Sequence, residues 1–194
     1  MQWFSSNFFI VAAAGVLGAS AVGILRIGQN IIGLTHVLFL GMENVIPTEA
    51  SRQFLKNGTK GLMLYIQSIT LKVGVVVGLI LITLGIAAPQ LLTVFYGVEY
   101  AEQSFVVIWY CVLYVFVFFG YPARFILRTL RETRPIFIAY ALTAIICSFS
   151  AFPIVENFGL TGCLVGLLLC QISTLLVYYY FVKLRLSGFR PFRN

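Results

Sequence analysis

The chain has 194 residues, of which 60% are hydrophobic and only 10% charged, with a net charge of +7. A water-soluble fold of this length would leave too much of that apolar surface exposed, so the composition excludes a soluble globular domain and predicts an all-α integral membrane protein. The basic residues gather between apolar runs, as loop anchors do and nucleic-acid surfaces do not, and all six acidic residues are Glu, which disfavours the Asp-rich sites of Mg²⁺-dependent enzymes.

A bilayer-spanning helix takes about 20 apolar residues. Six such runs follow one another, at about 4–25, 27–46, 64–88, 104–123, 135–155 and 158–182. They are expected to be helices, because open strands leave their backbone unsatisfied in lipid. The first run lacks a basic leader segment and is expected to be a mature span, not a cleaved signal. Pro47 is expected to close the second span, and the polar, mildly amphipathic stretch 48–63 to lie along the interface. Pro89 and Pro122 should end the third and fourth spans, Pro135 should sit near the start of the fifth, and Pro153 should end it. The organisation is then a six-transmembrane-helix domain over 1–185 and a basic cytoplasmic tail over 186–194.

Other features read as structural. Gly74 with Gly78, and Gly162 with Gly166, are spaced for close helix packing. Cys111, Cys147, Cys163 and Cys170 stand in apolar runs without metal-binding spacing and read as buried packing residues; no metal or cofactor is expected. Trp3 and Phe4, then Phe95, Tyr96 and Tyr100, then Tyr178 to Phe181 mark the aromatic belts of the two interfaces.

The loop charges orient the spans. Arg52, Lys56 and Lys60 follow span two, Arg124, Arg128, Arg131 and Arg134 follow span four, and Lys183, Arg185, Arg190 and Arg193 follow span six. The alternate loops hold Arg26, then Glu99 with Glu102, then Glu156. Positive residues stay on the cytoplasmic side, so both termini are expected there.

The second span is unlike a lipid-facing helix. In 26–46 it carries Arg26, Gln29, Asn30, His36, Glu43 and Asn44. With Arg26 at zero and about 100° per residue, the others fall at roughly 300°, 40°, 280°, 260° and 0°, on one stripe. Ile27, Ile31, Leu34, Leu38, Met42 and Val45 project from the other side, and Gly33 and Gly41 leave room within the stripe. Ionisable groups at membrane depth normally face a bundle interior or a wet cavity, so these six residues are candidate cavity or substrate-binding residues, the alternative being polar contacts that hold helices together. Glu43 is the one carboxylate well inside a span and the candidate for proton or cation coupling, and His36 is a candidate pH-sensitive group. Arg124, Arg128 and Arg131, at i, i+4 and i+7, would form one basic ridge if span four continued into the cytosol, and could meet a lipid phosphate there or merely enforce topology.

The run VAAAGVLGASAVGILRIGQNIIGLTHVLFLGMENVIP, with its Leu-Arg-x-x-Gln-Asn turn and Glu-Asn-x-x-Pro exit, resembles the opening of the C-terminal half of oligosaccharide flippases. That superfamily also contains the lipid II flippases and the multidrug and toxin extruders. GVEYAEQSFVVIW and ENFGLTGCLVG are similar to loops of the same family. The resemblance implies one lobe of a MATE-like, two-lobed transporter of the bacterial cytoplasmic (inner) membrane, moving a polyprenyl-diphosphate-linked oligosaccharide through a central cationic cavity in polysaccharide biosynthesis. It implies a second six-helix lobe as partner, whether a separate chain, a missing N-terminal half or a second copy. Two other classes stay open: a non-transporting assembly or scaffold subunit, including a truncated relic, and an intramembrane enzyme of lipid-linked sugar metabolism, for which no catalytic nucleophile and base can be assigned.

Overall fold

A computed structural model describes the backbone of residues 2–187 and the side chains from Asn7 onward, Leu34 excepted. The tail beyond Ser187, with Arg190 and Arg193, and the Trp3 and Phe4 side chains lie outside the described residues. Among the described residues every regular element is helical: α1 (Gln2–Leu17), α2 (Ala19–Ile86), α3 (Ala88–Tyr96), a 3₁₀ turn (Val98–Gln103), α4 (Ser104–Thr129) and α5 (Arg134–Leu186). Three stretches, Thr35–Ile86, Val98–Thr129 and Arg134–Leu186, are long and apolar enough to cross a membrane.

The two longest helices fold back on themselves. In α5, Gly159 has φ 59° and ψ −140°. On either side of it the Thr143 and Thr174 hydroxyl oxygens meet at 2.9 Å, and the Tyr140 and Tyr178 rings stand edge to face at 6.3 Å. A straight helix would hold Thr143 and Thr174 about 46 Å apart. The arms 134–158 and 160–186 are therefore antiparallel neighbours, and the reversal falls on a residue whose missing Cβ permits that backbone.

Gly58 (φ 63°, ψ −157°) does the same for α2. Phe39, from the first arm, stacks 6.4 Å from Phe118 of α4, and Gly74, from the second arm, lies against the same ring, where an added Cβ would come within 3.2 Å. Residues 39 and 74 of a straight helix would be about 52 Å apart and could not share one partner. The described chain thus packs as six long rods: α1, 19–57, 59–86, α4, 134–158 and 160–186.

α4 lies between the α2 and α5 hairpins, with Phe39 stacked on Tyr114 at 5.8 Å and tilted over Tyr121 at 4.9 Å. α1 packs on α5, where the Cys163 thiol donates to the Phe9 carbonyl at 3.4 Å and the Phe9 ring covers Gly166. All four cysteines are buried and unbridged. The outer surface is apolar: Leu71 is 73% and Phe149 82% exposed.

The breaks differ from those expected. The first turn falls at Gly18 (φ 83°), not near residue 26, so Arg26 stands two turns inside α2 and not in a loop. Pro47, Pro122 and Pro153 do not end helices; α2, α4 and α5 run through them. A proline removes one intrahelical hydrogen bond, whereas stopping a helix leaves several backbone groups without an intrahelical partner. The stretch 48–57 accordingly continues α2, with Arg52 and Lys56 exposed, up to the Gly58 reversal.

Candidate functional site

A cavity of about 550 Å³ opens between α1, the first arm of α2, α4 and both arms of α5. α2 contributes Arg26, Gln29, Gly33 and His36, α4 contributes Tyr110, Tyr114, Tyr121 and Arg124, and α5 contributes Tyr140, Thr143, Gln171, Thr174 and Tyr178, with Asn7 from α1. The walls thus combine two guanidinium groups with phenols and amides, inside helices whose outer faces are apolar.

The stripe read on 26–46 divides in two. Side chains packed into the core, Ile32, Thr35, Phe39 and Met42, centre near about 200° on the same wheel. Gln29, Gly33 and His36, at roughly 280–340°, flank that buried face and reach the cavity, as does Arg26, whose Nη1 donates to Gln29 Oε1 at 2.9 Å. Asn30 and Asn44, at roughly 0–40°, are exposed and are not part of the cavity wall. Leu38 and Val45 are exposed as well, while Ile31 and Met42 are buried.

Glu43 meets the cavity through a residue expected elsewhere. Its Oε1 lies 3.0 Å from Nη2 of Arg124. Arg124 is only 6% exposed, stacks its guanidinium 4.3 Å over the Tyr121 ring, and donates from Nη1 to the Tyr140 hydroxyl at 3.4 Å. Its Nε is buried with no hydrogen-bond partner. A guanidinium so far removed from water needs such neighbours, because its desolvation is costly unless a charge and hydrogen bonds compensate.

The basic ridge is not formed. α4 ends at Thr129, Arg131 takes a left-handed backbone (φ 58°) in the following turn, and Arg124 points inward, so only Arg128 and Arg131 are exposed. The same end of the molecule is tied by an ion pair between Arg185 of α5 and Glu132 of that turn.

The tyrosine wall escapes a reading confined to the second span. Tyr110, Tyr114, Tyr121 and Arg124 recur at i, i+4, i+11 and i+14 and share one face of α4, so a wheel drawn for that span carries the signal. Tyr178, expected in an interfacial belt, is buried and belongs to the cavity. Among the described residues, no group of three or more His, Cys, Asp or Glu side chains is placed to hold a metal ion.

The class defined by these features is an all-helical protein with helices able to cross a membrane and a cationic, tyrosine-rich cavity between them. Compared with known protein families, characterised proteins and solved structures, the chain matches none.

Proposed function

We propose that the chain is one lobe of a two-lobed membrane transporter that passes an anionic, sugar-bearing lipid, such as a polyprenyl-diphosphate-linked oligosaccharide, across the bacterial cytoplasmic membrane. The observation that carries this reading is a cavity holding Arg26 and the buried Arg124 within helices of apolar exterior. A phosphate entering a low-dielectric space needs compensating positive groups, and tyrosine and amide side chains suit a sugar's hydroxyls and apolar faces. The six rods are taken as six spans, with both termini cytoplasmic, in agreement with the basic residues near Gly58, between α4 and α5, and at the end of α5. The partners are the lipid bilayer, the lipid-linked glycan and a second six-helix lobe that supplies the facing wall, since alternating access needs one bundle to rock against another.

The test is movement of a radiolabelled polyprenyl-diphosphate-linked oligosaccharide in proteoliposomes. Expected is translocation when this chain is reconstituted with a second lobe and none by a demonstrated single copy. Translocation by a single copy overturns the half-transporter reading, and failure of every two-lobed assembly overturns the transport reading.

A further inference from the structure

The contact between Arg124 and Glu43 carries a more specific meaning, which rests on the anion-accepting role proposed for the cavity. We infer that Glu43 is a resident counter-ion of Arg124, exchanged for a phosphate or diphosphate oxyanion of the ligand.

The pair is unequal in the way an exchangeable pair should be. The Arg124 side chain is 7% exposed and the Glu43 side chain 27%, so the carboxylate partner is the less buried of the two, while Arg124 faces the cavity whose wall it forms. The guanidinium is held from other directions, by the Tyr121 ring beneath it and the Tyr140 hydroxyl beside it. It stays in place when its carboxylate leaves.

The pairing is also incomplete. A guanidinium carries five N–H donors in a fork that matches two oxygens of a carboxylate or phosphate. Glu43 makes one contact, at Nη2, the bond from Nη1 to Tyr140 is long, and Nε has no partner. A diphosphate, with at least two non-bridging oxygens on each phosphorus, would satisfy donors that Glu43 leaves idle.

The backbone around Glu43 favours its movement. Pro47, four residues on, offers no N–H to the Glu43 carbonyl, so α2 lacks one rung beside this side chain and can bend there. Charge balance points the same way. Among the described residues, the charged side chains on the wall are Arg26 and Arg124, and Glu43 offsets one of the two positive charges. Exchange returns both to a ligand bearing two negative charges.

The experiment measures binding by the purified full chain in detergent, by calorimetry, with three probes: inorganic pyrophosphate, farnesyl diphosphate and the uncharged farnesol. Glu43→Gln should bind the diphosphate probes about tenfold tighter than wild type, and Arg124→Gln at least about tenfold weaker, with farnesol unaffected. A response confined to farnesyl diphosphate identifies a lipid-borne phosphate and an equal response to pyrophosphate a free anion; both support exchange if the order of variants holds. If wild type binds and Glu43→Gln binds equally or more weakly, the counter-ion role is overturned and the anion-accepting cavity stands. If neither wild type nor Glu43→Gln binds any diphosphate, both fall. Should Glu43→Gln not fold, Glu43→Asp, which draws the carboxylate back by one methylene, should also bind more tightly, and unchanged affinity overturns the inference.

Discussion

The hydroxyl oxygens of Thr143 and Thr174 stand 2.9 Å apart across the α5 hairpin, and each also faces a carbonyl of its own arm, Ala139 at 2.8 Å and Cys170 at 3.0 Å. Each hydroxyl has one proton, so one donates across the gap and the other to its own backbone. Thr143→Val removes the cross-arm bond yet leaves Thr174 a backbone acceptor. Its cost should stay near about 1 kcal/mol, the net worth of one hydrogen bond. Thermal unfolding in detergent checks this; a loss several times larger would mean the pair organises the whole hairpin.

Gly159 should be far less tolerant. A β-branched residue there must adopt φ 59°, ψ −140°, a region that costs on the order of 1–3 kcal/mol. Gly159→Val should lower the melting temperature clearly. Gly23→Ala, in the body of α2 with open space around the added Cβ, should be neutral or slightly stabilising. Equal effects at the two sites would contradict the reversal at Gly159.

Arg124 and Glu43 should couple strongly in stability. Removing one partner of a fully buried ion pair costs about 3–5 kcal/mol, and the partial exposure of Glu43 should reduce that for Arg124→Met. Adding Glu43→Leu to Arg124→Met should recover part of the loss, because it removes the stranded carboxylate. Melting of the two single variants and the double variant measures the coupling; simple additivity would show that the contact carries no energy.

Membrane orientation is testable by cysteine labelling in a background without the four native cysteines. Lys56, Arg131, Glu99 and Asn157 are all exposed. Cysteine at Lys56 or Arg131 should react with an impermeant thiol reagent only after the membrane is opened, and cysteine at Glu99 or Asn157 should react from outside. The reverse pattern would defeat the arrangement with both termini in the cytoplasm.

Much of the helical content was legible in the sequence because it depends on local composition: apolar runs of this length have few alternatives to helix. The polar residues of 26–46 were visible for the same reason, since a helical period places them on one stripe. Helix ends were less legible. Pro47, Pro122 and Pro153 carry a strong local stop signal yet stand inside continuous helices, while Gly18, Gly58 and Gly159 carry a weak one that the packed arms enforce.

What the sequence by itself determined is therefore the helical class and the presence of Arg26, Gln29, His36 and Glu43 on one helix. Only the tertiary structure decided that Asn30 and Asn44 turn away from the cavity, that Arg124 turns inward, and that Glu43 meets it. The reason is physical: a helical period ranks the faces of one rod, but which face is buried depends on the rods packed against it. The Phe39 contacts with Tyr114, Phe118 and Tyr121 set the rotation of α2 against α4, and that rotation brings the Glu43 carboxylate within 3.0 Å of the Arg124 guanidinium.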